Sequence, residues 1–194
     1  MQAKEQIQNR INLLVGLLLY PLGDFLGQLI LSGFSPSAIS WPRIITIALV
    51  GSLLYRFEIP RWFKVLESIK VDGRKAEKSP LRYLFREAAD GRFVLNWLGR
   101  TGFAMLYFNP LWIARHVFFI YLSTHNFQIS MPLGQAVPHF LMLGLKAFLA
   151  NLPISIVGNY IIQQKIKPEY RFAGSATLSG IFAISYAIEY WLFK

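Results

Sequence analysis

Five apolar stretches, separated by very unequal numbers of basic residues, constrain this chain most. The stretches cover residues 11–31, 44–58, 101–122, 137–162 and 172–193, and most approach the roughly 20 residues that a helix needs to cross a hydrocarbon core. Only helices or closed barrels pair every backbone polar group in lipid, and these runs lack the alternating polarity of barrel strands. The sequence therefore predicts an all-α, polytopic membrane bundle of four to five transmembrane helices, with residues 1–194 forming a single membrane domain.

The basic residues at the ends of these stretches and between them alternate between many and few. Two precede the first stretch, one follows it, eleven lie between residues 56 and 100, none lies between 123 and 136, and three lie between 165 and 171. The positive-inside rule then places the amino terminus and the second and fourth loops on the matrix or cytosolic side. A net charge of +10 concentrated in this way favours anionic lipid headgroups as partners, and we expect no nucleic acid.

The basic loop, residues 61–100, is expected to lie along the membrane surface. Residues 61–66 mix aromatic with basic side chains, and residues 81–93 carry apolar side chains at helical spacing. Both segments therefore predict amphipathic interfacial helices. The residues expected to contact lipid headgroups or a protein partner are Arg61, Trp62, Lys64, Arg82 and Arg86.

Asp24 is the most informative polar residue, because a carboxylate at membrane depth costs at least a few kcal/mol unless it is paired, hydrated or protonated. It shares a helical face with Gln28, four residues later. Two interpretations stay open: Asp24 lines a polar path, or it holds two helices together through a basic partner. The candidate partners are Arg43, Arg115 and Lys146.

Further polar groups lie within the other apolar stretches. We expect Arg115 to pair with Asp24 or Glu189 inside the bundle, and Pro110 and Pro153 to kink their helices. The full set predicted to line a polar path or to pair within the membrane comprises Asp24, Gln28, Arg115, Lys146, Asn151 and Asn159.

Small residues predict where helices approach one another. Gly23 and Gly27 form a small-xxx-small pair in the first stretch, and a ridge of small residues follows the last one. The residues predicted to pack helices together are Gly23, Gly27, Ser175, Ser179 and Ala183.

Signatures of catalysis are weak. The absence of cysteine excludes disulfides, thiolate metal sites and cysteine nucleophiles, and the three histidines are too scattered to form a metal site. No phosphate-binding loop, metalloprotease motif or paired-carboxylate site occurs in the sequence. We therefore expect no enzyme activity, no metal and no cofactor.

Several landmarks occur in the order found in one family of membrane proteins. They are the segment 22–28 with its Gly-Asp pair and following Gln, then Arg43, Gly51, Pro60 with the aromatic segment 62–66, Pro153, Asn159-Tyr160 and the segment 168–171. In these the chain resembles a divergent member of the Mpv-type family, named for the twenty-two-kilodalton peroxisomal membrane protein. The resemblance implies an organellar membrane protein of four or five helices with pore-like behaviour, and the family includes a mitochondrial inner-membrane relative.

Two functions of different classes follow as hypotheses. The first is a channel or metabolite-permeation protein of an organellar membrane, with the mitochondrial inner membrane expected and peroxisomal, plastid and bacterial membranes still open. Its motivation is the number of polar groups at depth. The alternative is a non-catalytic structural subunit of a larger membrane complex, such as a respiratory or ATP-synthase assembly. Partners would then be other membrane subunits or further copies of the chain.

Overall fold

The computed structural model of this protein describes residues 2–105 and 109–192, and these are predominantly helical. The helices are α1 (Gln2–Leu31), α2 (Trp41–Leu49), α3 (Arg56–Ser68), α4 (Gly73–Glu77), α5 (Trp97–Phe103), α6 (Asn109–Thr124), α7 (Leu133–Ala150), α8 (Leu152–Gln164) and α9 (Arg171–Leu192). Three short strands are β1 (Lys70–Val71), β2 (Phe85–Glu87) and β3 (Phe93–Leu95). Short 3₁₀ turns occupy Pro36–Ala38, Arg82–Leu84 and Pro168–Tyr170.

The long helices run alternately up and down the bundle. Along α1 and the α2–α3 helix, Asp24 meets Arg43 and Gln28 meets Ser40, so sequence numbers rise in one helix as they fall in the other. The same reciprocal order holds between α6 and α7 and between α8 and α9. By contrast, α1 and α9 are parallel, because Gly23 meets Gly180 and Gly27 meets Ala183. The helix contacts described here are therefore antiparallel, apart from the parallel pair α1 and α9.

This arrangement separates basic from uncharged loops. One end of the bundle, here called the basic end, gathers the start of α1, the end of α3, the strands and the 3₁₀ turn before α9, where the Gln8 side chain donates to the Glu169 carbonyl. The opposite end holds residues 32–40 and 125–132, which contain no Lys or Arg. The sequence predicted that these basic segments share a side, and the structure brings them to one end.

A π-helical segment, Val50–Tyr55, joins α2 to α3 without a break. Its wider turn lies where the helix crosses α1 at two glycines, and a Cβ added to Gly16 would stand 2.5 Å from the Gly51 carbonyl oxygen. The helical backbone then continues through Pro60 to Ser68, ten residues beyond the predicted end of the second stretch at residue 58.

The predicted helix over residues 81–93 is wrong. A 3₁₀ turn leads there into β2, and β2 pairs with β3 across a tight turn whose Gly91 adopts φ +70°. Asp90 and Gly91 are residues typical of a hairpin turn, and they outweigh the helical spacing of the apolar side chains. The sheet has the antiparallel order β1-β3-β2. The other predicted interfacial helix, residues 61–66, lies within α3.

Two predicted stretches are interrupted. The stretch 137–162 breaks at Asn151, where φ −100° and ψ 19° separate α7 from α8 and Pro153 occupies the first turn of the new helix. The stretch 101–122 contains the end of α5 and most of α6, and the predicted kink at Pro110 borders residues 106–108, which lie outside the described residues. By length and composition, Glu5–Leu31 and Leu133–Ala150 are the two described helices that could cross a membrane.

A close helix contact joins α1 and α9 through small residues. A Cβ added to Gly23 would stand 2.3 Å from the Gly180 Cα, and one added to Gly27 would stand 3.0 Å from the Ala183 carbonyl oxygen. Three of the predicted packing residues therefore lie in this contact. Ser175 and the buried Ser179 instead face a small internal cavity.

Candidate functional site

A cavity of about 500 Å³ opens among α1, α2, α6 and α9 toward the opposite end of the bundle. Most of its wall is apolar, but Asp24, Arg43, His116 and Ser179 contribute polar groups. This opposite-end cavity is therefore a mixed site, in which a few polar groups lie on an apolar surface.

Asp24 is paired with Arg43, one of the three partners considered from the sequence. The Arg43 Nε donates to Oδ1 of Asp24 at 2.8 Å and to Oδ2 at 3.1 Å, while Nη2 approaches Oδ1 at 2.5 Å. Asp24 is only 2% exposed and Arg43 22%. A buried carboxylate held by two nitrogens of one guanidinium has its charge balanced locally.

Gln28 extends this pair to the turn before α2. Its Nε2 donates to Asp24 Oδ2 at 2.8 Å, and its Oε1 accepts from the Ser40 backbone N–H at 2.8 Å. Because Ser40 caps α2, Gln28 fixes the start of that helix against α1. Asp24 and Gln28 thus lie together, as their spacing predicted.

Arg115 pairs with Glu58 and not with Asp24, which was one of the two partners predicted for it. Its Nη1 donates to Oε1 of Glu58 at 2.9 Å, and its Nη2 lies 2.6 Å from Oε2. The guanidinium also lies 5.1 Å from the centre of the Tyr55 ring. The side chain of Glu189, the other predicted partner, lies outside the described residues. Glu58 was missed because it falls at the expected end of a stretch, whereas α3 continues past it.

The remaining predicted polar residues are dispersed. Lys146 is exposed on α7 and lines none of the cavities described here. Asn151 is buried at the break between α7 and α8, and Asn159 is buried on α8 with its Nδ2 donating to the Ser155 carbonyl at 2.9 Å. The six predicted polar residues therefore do not form one continuous lining.

A buried aromatic layer occupies the middle of the bundle. Its members are Tyr20, Tyr55, Trp112 and Phe172, with ring centroids 5.1 Å apart for Tyr55 and Trp112, 5.3 Å for Tyr20 and Tyr55, 5.9 Å for Tyr20 and Trp112, and 6.2 Å for Tyr20 and Phe172. The imidazole of His116 stacks on Trp112 at 5.0 Å. Sequence reasoning missed this layer because aromatic residues on four separate helices carry no local signal.

Beside the aromatic layer lies a central cavity of about 20 Å³, large enough for a water molecule. Tyr20, Trp112, Asn159, Ser175 and Ser179 contribute to its wall. Trp112 and Ser179 also line the opposite-end cavity, so the two spaces are neighbours.

A second large cavity, of about 480 Å³, lies at the basic end. Most of the residues in its wall are polar or charged, and they come from the start of α1, from α3 and from the segment entering α9. Phe172 lines this basic-end cavity and packs against Tyr20, so one ring of the aromatic layer faces it. Arg171 is buried beside Phe172, forms an ion pair with Glu67 and donates to the Gln163 carbonyl.

The predicted headgroup residues fall into two groups. Arg61 and Lys64 are exposed on α3 and line the basic-end cavity, and Arg61 also lines an open groove beside half-buried Trp62. Arg82 and Arg86 are exposed near and on β2, away from both large cavities. The five residues therefore belong to one end of the molecule but to separate surfaces.

Among the described residues, no cluster of three or more His, Asp or Glu side chains could hold a metal ion. The site that the structure does assemble consists of two cavities at opposite ends, separated by the aromatic layer.

The chain matches no protein-family model, no curated protein and no solved structure.

Proposed function

We propose that this protein is a small integral membrane protein acting as a channel or metabolite-permeation protein. One observation carries the proposal: the two large cavities approach each other from opposite ends, and the aromatic layer with its small central cavity lies between them. Hydrophobic and aromatic constrictions of this kind gate pores by excluding water. This conformation corresponds to a closed state, and permeation requires Tyr20, Trp112 or Phe172 to turn aside.

Residence in a membrane is supported by the outer faces of the helices. Large apolar side chains are exposed along α1 and α7, including Leu14, Leu18, Leu133, Val137 and Leu149. Exposed apolar surface of this extent suits lipid contact, and the gathering of basic residues at one end suits the positive-inside rule. The mitochondrial inner membrane is the proposed location, on the basis of the resemblance to the Mpv-type family.

The pairing of Asp24 refines the proposed lining. Since Arg43 balances its charge, Asp24 does not present a free carboxylate to a permeating cation. Selection at the opposite-end cavity therefore depends on size and on hydrogen bonding. The main role of Asp24 is then to hold α1 and α2 together through its ion pair with Arg43.

Cysteine accessibility in reconstituted vesicles tests the permeation path, and the chain has no cysteine to interfere. Ser179→Cys places a thiol where the central and opposite-end cavities meet, and Thr177→Cys places one on the exposed side of the same helix as a matched control. A small charged methanethiosulfonate reagent should block ion flux through Ser179→Cys and leave Thr177→Cys unchanged. The proposed path would be contradicted if the reagent left ion flux through Ser179→Cys unchanged. It would also be contradicted if vesicles containing the protein leaked no more than protein-free vesicles under any gating condition.

The second candidate function is that of a non-catalytic subunit in a larger membrane complex. It is favoured by an apolar groove of about 260 Å³ between α6 and α7, lined by side chains such as Leu111, Phe118 and Val137. Native mass of the protein gently extracted from its own membrane separates the two functions. A stoichiometric large complex supports the subunit, whereas a single chain or small homo-oligomer supports the channel.

A further inference from the structure

We infer that the basic-end cavity binds a small molecule through an oxyanion, a phosphate or carboxylate group, held against Arg56. At about 480 Å³ the cavity lies in the size range of small-molecule sites. Binding there needs no permeation, so it is measurable whether or not the protein conducts.

The residues that line the cavity divide by burial into a floor of buried and half-buried side chains and a rim of exposed ones. The floor contains the buried Asn12, Phe63, Arg171 and Phe172 and the half-buried Arg56. The exposed rim carries Glu5, Arg61, Lys64 and Glu169, whose charges balance. The exposed Glu67 balances the buried Arg171, which leaves the positive charge of Arg56 without a carboxylate partner among the described residues.

The geometry of Arg56 suits the binding of an anion. Its guanidinium carbon lies 4.2 Å from the centre of the Phe57 ring, so an aromatic face orients the group. Its Nε–H is buried and has no acceptor among the described residues. Because the Nε–H has no accessible surface, a ligand in the cavity would meet the two terminal nitrogens, whose spacing matches the two oxygens of a phosphate or carboxylate.

The neighbouring amides suit the uncharged part of such a ligand. Gln8 donates through Nε2 to Asn12 Oδ1 at 3.0 Å and to the Glu169 carbonyl at 2.7 Å, so it spans the cavity wall from α1 to the turn before α9. These bonds fix the wall opposite α3. The ligand therefore enters a preformed space with cations on α3 and amides on α1.

Binding is tested on the purified protein in mild detergent, with inorganic phosphate and succinate as separate probes and chloride as the ionic-strength match. Calorimetry should detect at least one probe, and Arg56→Gln should weaken its affinity about tenfold or more through loss of a charge-assisted hydrogen bond. The control Arg10→Gln removes the same charge from an exposed position outside the cavity and should leave affinity unchanged.

A second variant tests the same site in case Arg56→Gln does not fold. Asn9 is exposed on the rim, so Asn9→Trp should fold and obstruct the entrance, whereas Arg10→Trp adds the same bulk outside it. Loss of probe binding in Asn9→Trp but not in Arg10→Trp supports the site. Equal effects in both pairs of variants, which would indicate general charge or bulk, overturn it.

The phosphate could also belong to a lipid headgroup, and native mass spectrometry in phosphatidylglycerol or phosphatidylcholine distinguishes that source. Arg56-dependent retention of phosphatidylglycerol, with no response to the soluble probes, assigns the oxyanion to a lipid. Arg56-dependent binding of phosphate or succinate assigns it to a soluble ligand. If neither class depends on Arg56, the cavity is not an oxyanion site.

Discussion

Arg115 and Glu58 form a two-pronged ion pair that ties α6 to α3, with Nη1–Oε1 at 2.9 Å and Nη2–Oε2 at 2.6 Å. The side chains remain 33% and 37% exposed, on the outer side of the helix contact. The pair lies beside the aromatic layer, since Arg115 also approaches the Tyr55 ring. It thus connects a contact at the surface of the bundle to the rings at its centre.

Removing one member of this pair should destabilise the fold modestly. Glu58→Gln keeps the size of the side chain and weakens the pair, at a cost of about 1 kcal/mol because both groups are partly exposed. Thermal unfolding in detergent measures the loss. In a double-mutant cycle with Arg115→Gln, additive losses would contradict a direct coupling between the two residues.

Replacement of Asp24 should cost more. Asp24→Asn keeps the shape of the side chain but leaves Arg43 without a carboxylate in a buried place, and we expect a loss of about 2–4 kcal/mol in the free energy of unfolding. Denaturant titration checks the value. Arg43→Lys should also destabilise, because a lysine cannot reproduce the bonds from Nε and Nη2. A wild-type midpoint for Asp24→Asn would refute a structural role for the pair.

A single methyl group at the contact of α1 with α9 should separate the two helices. The Cβ of Gly23→Ala would stand 2.3 Å from the Gly180 backbone, which leaves no flexible side chain to move aside. We expect a loss of about 1–3 kcal/mol, measured by thermal unfolding. Gly102→Ala is the control, since among the described residues no atom beyond its own helical turn lies within 4 Å of its added Cβ. It should be neutral or slightly stabilising.

The strand region makes a prediction about pH. A hydrogen bond from the Lys70 ammonium, at 3.0 Å, and one from the Arg92 backbone N–H hold the pKa of Asp90 below its usual value. Since the folded-state pKa is depressed, this contribution to stability is present above the unfolded-state pKa and is lost as pH falls through the folded-state pKa. Carboxyl NMR titration should show the pKa of Asp90 rising in Lys70→Met.

Lys75→Met provides the matched comparison for that titration. It removes an exposed ammonium from the same loop, but Lys75 does not bond to Asp90. The pKa of Asp90 should remain depressed in this variant. An equal rise in both variants would mean that net charge, and not the Lys70 hydrogen bond, lowers the pKa.

Helices were the most predictable part of the fold. The apolar stretches, the kink before Pro153 and the partnership of Asp24 with Gln28 all follow from residues close together in sequence, where spacing and backbone chemistry act directly. The strand pairing of residues 85–95 was missed because apolar spacing suggested a helix. The turn at Asp90 and Gly91 provided a signal that could have corrected it.

The candidate site was less predictable, because its members come from distant parts of the chain. Phe172 and Tyr20 meet only after α9 has packed beside α1, and no local pattern anticipates that meeting. Arg115 pairs with Glu58 because the helix continues through the π-helical segment and α3, beyond the expected end of the stretch, and so places that carboxylate beside α6. Charge alone could not select this partner from the acidic residues available.

The π-helical segment Val50–Tyr55 also limits which changes in chain length this protein can tolerate. It stands between Arg43, which must reach Asp24, and Glu58, which must reach Arg115. Each of its hydrogen-bonded turns encloses one residue more than an α-helical turn, and a deletion here would restore regular helix by turning one flank relative to the other. Homologues that keep both ion pairs should therefore show neither insertions nor deletions between these positions.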